Sequence, residues 1–239
     1  MTTSTPTSFK LWRASLVFGA FFLASFQWFG DAQGAADGLT TLAGPANVID
    51  GDTIDINGQR IRLEGIDAPE TAQTCGLNGG GTWPCGRAAA KALLALVNNA
   101  DVACDSRGYD KYSRLLAVCF VDGKEINSML VRTGYAWAFV KYSATYLEDE
   151  KTAQASNLGV WQGPAQAPWD FRHQGWQTAE AAAPKGCAIK GNISRSGQIY
   201  HMPWSPWYEK VTIDPNRGER WFCTEAEAQA AGWRPAMNL

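Results

Sequence analysis

Acidic and basic side chains are concentrated in three short stretches of this sequence. Val48–Thr53 contains Asp-Gly-Asp, Arg62–Glu70 combines an arginine with three acids, and Asp110–Arg114 reads Asp-Lys-Tyr-Ser-Arg. Carboxylates hold hard cations or act on a water molecule, and arginines bind phosphate through a planar fork of donors. Together these groups are the ones that hydrolysis of a phosphodiester requires.

Each stretch alone also has a purely structural interpretation. Asp-Gly-Asp usually forms a turn, and Asp67 and Glu70 suit a solvated turn at a strand end. Arg62 has Glu64 on its own strand face, where an exposed ion pair would contribute little. The occurrence of all three stretches in one strand-rich region favours the chemical interpretation.

The elements that would position these groups follow from the spacing of apolar residues. Asn57-Gly58 indicates a hairpin turn, and the alternation after it places Arg62 on the face opposite Ile61 and Leu63. The predicted elements are strands at 46–50, 53–56 and 60–66, a helix at 86–98, strands at 102–105 and 115–121, and helices at 126–133 and 146–157. Five strands with a helix between the third and fourth predict a β-barrel with helices, an α+β fold of the five-stranded OB type. A plain α+β domain without closure is the alternative.

Composition divides the chain into four predicted parts. Residues 1–34 read as a signal peptide or membrane anchor, 35–162 as the barrel domain, 163–184 as a linker rich in Pro and Ala, and 185–239 as a small module containing cysteine and tryptophan. Within the last part, Thr224 and Glu227 form a capping-box pattern for a short helix.

The first 34 residues have the pattern of an export signal. Lys10 and Arg13 precede an apolar run, Leu16–Phe29, and small residues follow it. The protein is therefore expected to be exported, either periplasmic or secreted, with membrane anchoring by an uncleaved signal as the alternative. Membrane contact is expected only through residues 14–30, and only if the signal is retained.

Net charge limits the kind of nucleic-acid contact that the chain can make. The formal charge is −2, and removal of residues 1–34 takes away two positive charges and one negative, which leaves −3. No global basic field attracts a polyanion, so binding must rest on a local basic site and a bound cation.

Export makes a disulfide framework the preferred interpretation of the cysteines. They form three local pairs along the chain, which are Cys75 with Cys85, Cys104 with Cys119, and Cys187 with Cys223. For the last pair, His201 raises the alternative of a metal site, but zinc normally requires four ligands and closer pairs.

From about Ala46 to Trp161 the chain resembles the thermonuclease, or staphylococcal-nuclease-like, family. Val48–Thr53, Arg62–Glu70 and Asp110–Arg114 match its three motifs, with Ser113 where the family usually has Gly, and Leu158–Trp161 matches its terminal motif. The resemblance covers roughly half of the chain. It implies an OB barrel and Ca²⁺-dependent hydrolysis of DNA and RNA that leaves 3′-phosphorylated ends.

The resemblance also implies roles for individual residues. Asp52, Asp67 and the carbonyl of Ala68 would be the Ca²⁺ ligands, with Asp50 as a supporting acid. Arg62, Glu70 and Arg114 would be catalytic, with Glu70 acting on the attacking water and the arginines on the phosphate. The residues implied for substrate contact are Lys111, Tyr112 and Tyr142, with Phe139 as the alternative to Tyr142.

Three functions are therefore considered for the chain. The first is an exported Ca²⁺-dependent endonuclease with DNA or RNA as substrate and no obligate protein partner. The second is a catalytically inactive module that binds nucleic acid, and the third is an envelope adaptor that acts through its C-terminal module. Retention of all five motif acids and arginines favours the first.

Overall fold

The computed structural model describes residues 41–236 of the chain. The strands of its N-terminal part are β1 (Thr41–Val48), β2 (Thr53–Ile56), β3 (Gln59–Leu63), β4 (Ile66–Asp67), β5 (Cys75–Gly76), β6 (Thr82–Trp83), β7 (Asp101–Tyr109), β8 (Leu115–Val121), β9 (Lys124–Glu125) and β10 (Trp137–Ala138). The helices are α1 (Cys85–Val97), α2 (Ile126–Arg132), α3 (Leu147–Ala155), α4 (Pro168–Ala182) and α5 (Glu225–Ala230).

Within residues 41–236, five strands close into a barrel. Antiparallel pairing runs in the order β3-β2-β1-β7-β8, and parallel pairing of β3 with β8 closes the ring. Ile54, Ile61 and Leu63 are fully buried inside it, whereas Arg62 on the alternate face of β3 is only partly buried. The closed mixed barrel confirms the predicted OB-type fold, and α1 and α2 lie within one or two residues of their predicted bounds.

The prediction of a strand over residues 60–66 is wrong beyond residue 63. β3 ends at Leu63, and Gly65 turns the chain with a φ of +75°. A side chain at Gly65 would come within 2.8 Å of the Tyr146 ring, so the turn depends on glycine. After this turn β4 pairs with β10 instead of extending the barrel, and Asp67 therefore lies beside Trp137.

The segment predicted as a linker, 163–184, is mostly helical. Helix α4 occupies Pro168–Ala182 and begins with Pro168 at its first turn, a position that proline favours. Trp169 packs against the apolar cluster that contains Trp137, next to the barrel. Trp176 packs against the core of the C-terminal unit. The tryptophans on one face of α4 therefore join this helix to both parts of the described chain.

The C-terminal unit is a small sheet with one short helix. Its strands are β11 (Ile189–Ser194), β12 (Gly197–His201), β13 (Arg220–Phe222) and β14 (Arg234–Pro235), in the order β13-β11-β12-β14. Tyr200, Phe222 and Trp233 form its core. The N-terminal cap of α5 is confirmed, because the Thr224 hydroxyl accepts a hydrogen bond from the Glu227 N–H at 3.1 Å.

All three predicted disulfides are formed. They join Cys75 to Cys85, Cys104 to Cys119, and Cys187 to Cys223. The metal alternative for the last pair is wrong, since both sulfurs are bonded to each other and His201 bonds to Asn192 instead.

The predicted signal or anchor, residues 1–34, lies outside the described residues. Between residues 41 and 236, no helix combines the length and the apolar character needed to cross a membrane.

Candidate active site

The turn between β1 and β2 brings the first two acids to the end of the barrel. The Asp52 N–H donates to Asp50 Oδ1 at 3.2 Å, and the Ile49 N–H donates to the Thr53 carbonyl at 2.9 Å. A side chain on Gly51 would come within 2.7 Å of the Ala68 side chain. Glycine here therefore allows the close approach in which the Ala68 N–H donates to Asp52 Oδ2 at 2.8 Å.

Arg62 connects the two predicted metal ligands. It lies opposite Thr53 in the β2–β3 pairing, and its guanidinium donates to Asp52 Oδ1 and, at 2.6 Å, to Asp67 Oδ1. The ion pair with Glu64 that its strand position suggested does not form. Arg62 thus belongs to the acid cluster and not to a solvated strand face.

A second arginine that the sequence did not indicate completes this cluster. Arg172, from α4, donates through Nη1 to Asp67 Oδ1 at 3.0 Å and to Glu70 Oε1 at 2.8 Å. Its Nη2 donates to Asp67 Oδ2 at 2.7 Å. The available signals were Pro168 as a helix start and the spacing of Trp169, Arg172 and Trp176 along one helical face.

The cluster contains more negative than positive charge. Asp50, Asp52, Asp67 and Glu70 are opposed by Arg62 and Arg172, which leaves a formal excess of two negative charges when all four acids are ionised. Asp67 is fully buried and Asp52 nearly so. Burying so many carboxylates is costly unless cations balance them.

The pKa values of two acids reflect this imbalance. Burial raises the pKa of Asp52 to about 7, although Arg62 acts to lower it. Burial likewise raises the pKa of Glu70 to about 8, against the opposing effect of Arg172. Burial would lower the pKa of Arg62, but Asp52 and Asp67 more than offset it, so both arginines stay charged.

The donor set fits a hard divalent cation that keeps part of its water shell. Each carboxylate oxygen has two acceptor positions, and Oδ2 of Asp52 and Oδ2 of Asp67 each accept one hydrogen bond. In residues 41–236 no three His, Cys, Asp or Glu side chains converge on one point. Two carboxylate oxygens, a backbone carbonyl and water molecules form a suitable oxygen shell for Ca²⁺.

Arg114 lies in the same cleft but does not join the acid cluster. Its Nε donates to Asp110 Oδ2 at 2.7 Å, within the loop between β7 and β8. Ser113 has a φ of +60°, in the left-handed region that glycine favours, so the loop keeps its turn with serine there. In the same loop Lys111 lies over the Tyr112 ring, 4.7 Å from its centroid.

The cleft is a cavity of about 740 Å³ between the barrel and the C-terminal unit. The barrel contributes Arg62, Glu70, Lys111, Arg114 and Tyr142, and the C-terminal unit contributes Tyr200, Met202 and Trp204. The cavity therefore joins the part of the acid cluster that reaches its wall, including Glu70 and Arg172, to the residues predicted to contact substrate, whereas Asp52, Asp67 and Ala68 are buried behind that wall.

The two candidates for the stacking residue differ in exposure. Tyr142 is 69% exposed at the cleft wall. Phe139 is half-buried and stacks on Trp169 of α4, with ring centroids 5.5 Å apart and ring planes 7° from parallel. Of the two rings, Tyr142 is the more exposed; it lies edge-to-face with Phe139, and Lys141 Nζ lies 5.6 Å from its centroid.

Two family models match the chain in separate regions. The model described as staphylococcal nuclease homologue matches residues 60–163, and the one described as ArfC matches residues 173–235. The first covers three of the five barrel strands, β3, β7 and β8, together with helices α1 to α3, and it begins after Asp50 and Asp52. The second begins inside α4, directly after Arg172.

Similar proteins carry several names. The succinoglycan biosynthesis protein ExoI of Rhizobium meliloti (strain 1021) is 36% identical over 159 residues, which cover 65% of this chain and 81% of ExoI. Micrococcal nuclease of Shigella flexneri is 34% identical, covering 52% of this chain and 76% of the nuclease. An uncharacterized endonuclease of Haemophilus influenzae is 34% identical, covering 48% of this chain and 62% of that protein.

Proposed function

We propose that this chain, which belongs to the staphylococcal nuclease homologue family and is a nuclease, hydrolyses phosphodiester bonds of DNA or RNA in a Ca²⁺-dependent reaction. The observation that carries the proposal is the cluster in which Asp52, Asp67 and Glu70 share Arg62 and Arg172, while burial raises the pKa values of Asp52 and Glu70. A structural role alone gives no reason to bury acids that resist ionisation, whereas a bound dication would balance their charge.

Asp52 and Asp67 would hold the cation, together with the Ala68 carbonyl. The cation supplies positive charge next to the phosphate and helps to orient it. Asp50 supports this arrangement by accepting the Asp52 N–H and so fixing the turn that carries the ligand.

Glu70 would take the proton of the attacking water. A general base has to reach the cleft and be ionised at the working pH. Glu70 lines the cleft, and a cation bound at Asp52 and Asp67 would oppose the rise in its pKa that burial causes. The proton of the water would be accepted by the carboxylate oxygen of Glu70 that is not bonded to Arg172.

Arg62 and Arg114 would bind the phosphate from two sides. Both line the cleft, and a guanidinium matches the oxygens of a phosphate through paired donors. Arg114 can exchange its single side-chain bond to Asp110 for a phosphate contact. Lys111, Tyr112 and Tyr142 would contact the substrate backbone and bases.

The product ends and the cellular location are proposed from the sequence and its family resemblance. The products would carry 3′-phosphate ends, as the resemblance implies. The protein would be exported, periplasmic or secreted, because residues 1–34 have the pattern of a signal and three disulfides suit an oxidising compartment.

The test is cleavage of a labelled single-stranded oligonucleotide by the purified protein. We expect cleavage with Ca²⁺, none with a chelator, recovery when Ca²⁺ is restored, and products that become extendable by polymerase only after phosphatase treatment. Cleavage that persists in chelator would reject Ca²⁺ dependence, and products that are extendable at once would reject 3′-phosphate ends.

A further inference from the structure

Arg172 contacts the acid cluster although it lies beyond the matched nuclease region, residues 60–163. We propose that Arg172 is a positioning residue of the reaction, supplied by α4, which holds the carboxylate of Glu70 in fixed orientation to that of Asp67. The inference rests on the proposed function, since it assigns Glu70 to the water and Asp67 to the cation.

The bonds of Arg172 are arranged for this role. Its fork binds both oxygens of Asp67, at 3.0 and 2.7 Å, and Nη1 also reaches Glu70 Oε1 at 2.8 Å. Three donor contacts from one planar group fix the relative orientation of two carboxylates, which a single point charge cannot do.

No other side chain in residues 41–236 bonds to the Glu70 carboxylate. Arg62 is engaged with Asp52 and Asp67 on the other side of the cluster. Without Arg172, the Glu70 side chain would therefore keep its rotational freedom at the cleft surface. A displacement of about 1 Å in a catalytic group can lower a rate by about 100-fold.

Helix α4 keeps its place through contacts that do not involve Arg172. Trp169 stacks on Phe139, the Gln73 side-chain amide donates to the Gln166 carbonyl at 2.6 Å, and the Gly76 N–H donates to the Pro164 carbonyl at 2.7 Å. Since these contacts anchor the start of α4 and the segment before it, the ion pairs of Arg172 are not needed to dock the helix.

The experiment compares Arg172→Gln, Arg172→Lys and the control His173→Gln, which changes the exposed neighbour on the same helix. Each full-length protein is assayed for kcat and KM on a single-stranded oligonucleotide at saturating Ca²⁺. Thermal unfolding and calorimetric titration with Ca²⁺ accompany these assays.

For Arg172→Gln we expect kcat to fall by about 10- to 100-fold with KM changed by less than about threefold. Arg172→Lys keeps the charge without the fork, so it should recover part of the loss, and His173→Gln should match the unaltered protein. Ca²⁺ should bind Arg172→Gln at least as tightly, because a nearby positive charge has been removed.

Several results would overturn the inference. An unchanged kcat in Arg172→Gln would mean that the ion pairs only attach α4, and a higher rate at limiting Ca²⁺ would mean that Arg172 competes with the cation. Loss of Ca²⁺ binding or of folding that accounts for the whole effect would also overturn it. No cleavage by the unaltered protein would reject the proposed function itself, and the inference with it.

Discussion

The barrel and the C-terminal unit both bury acidic side chains, but they do so in different ways. In the barrel, Asp67 is fully buried against two arginines that are shared with further acids, so ionisation of all these acids would leave negative charge unbalanced. In the C-terminal unit, Glu219 is 4% exposed and accepts the backbone N–H groups of Ile193 and Asp214, each at 3.0 Å.

Under the proposed function, the difference distinguishes a buried acid that would serve chemistry from one that serves the fold. The two carboxylate oxygens of Glu219 accept hydrogen bonds from the backbone N–H groups of Ile193 and Asp214, which stabilises the local structure. Around Asp67, burial raises the pKa values of Asp52 and Glu70, and buried acids with shifted pKa values often mark functional sites.

Neutralising one acid in each part of the molecule tests this difference. Asp67→Asn should lower kcat by at least about 100-fold, because the cation loses a ligand and both arginines lose a shared anion. The free energy of unfolding should fall by about 1–3 kcal/mol, because the amide cannot accept donors on both sides, and by no more than that because each arginine keeps a second carboxylate. The measurements are cleavage kinetics and urea denaturation.

Glu219→Gln is the matched variant in the C-terminal unit. It should cost about 1–3 kcal/mol in the free energy of unfolding, because the amide cannot accept both N–H groups as the carboxylate does. Its kcat should stay within about twofold of the unaltered value. A reversal of the two patterns would contradict the distinction between the two acids.

Removing the Cys187–Cys223 disulfide tests how far the C-terminal unit can be weakened without affecting the barrel. The double variant Cys187→Ser with Cys223→Ser should lose about 2–4 kcal/mol of stability in that unit. We expect kcat to fall by less than about threefold, since the contacts of Trp169 and Gln73 hold the start of α4 on the barrel. Domain-resolved hydrogen exchange would locate the loss. A collapse of kcat at temperatures where the barrel remains folded would show that the unit serves the chemistry directly.

Tyr142 tests whether the exposed cleft wall contributes to binding and not to chemistry. Tyr142→Ala should raise KM by about 5- to 10-fold with little change in kcat, as expected for the loss of a stacking ring. Tyr142→Phe keeps the ring and should behave like the unaltered protein. Equal KM values for the two variants would assign the base contact elsewhere in the cleft.

Much of the barrel could be predicted because its sequence signals are local. The alternation of Ile61, Arg62 and Leu63 and the Asn57-Gly58 turn are properties of a few neighbouring residues. The three motifs lie on that frame, and the structure brings Asp52, Arg62, Asp67 and Glu70 together, while Arg114 lies apart on its loop.

Arg172 could not be predicted because its contacts depend on tertiary packing. Pro168 and the alanine run resemble a linker in composition, and only the packing of Trp169 and Trp176 against two separate cores makes the segment a fixed helix. The turn at Gly65 could not be predicted for the same reason. The alternation of apolar and polar residues continues through residue 66, whereas the turn depends on tertiary contact with Tyr146.

The smallest expected effect concerns the buried histidine of the C-terminal unit. Burial and the nearby Lys190 lower the pKa of His201, whose Nε2 bonds to Asn192. A histidine with a lowered pKa contributes stability above its unfolded pKa of about 6.5, and that contribution is lost as the pH falls below this value. Protonation of Asp52 and Glu70, whose pKa values are raised to about 7 and about 8, adds stability over the same range, so the contribution of His201 is measured as a difference between variants. As the pH falls from 7.5 to 5, the free energy of unfolding from urea denaturation should rise slightly more in His201→Asn than in the unaltered protein or in the control His173→Gln. Equal pH dependence in His201→Asn and His173→Gln would assign the titration to another group.

The central claim is that the barrel cluster is a Ca²⁺-dependent reaction centre in which Glu70 acts on water. The most direct measurement is the single-turnover cleavage rate of a single-stranded oligonucleotide at saturating Ca²⁺ for the unaltered protein and for Glu70→Gln. We expect the single-turnover cleavage rate of Glu70→Gln to be lower by about 100-fold or more, with Ca²⁺ binding retained. Equal rates for the two proteins would contradict it.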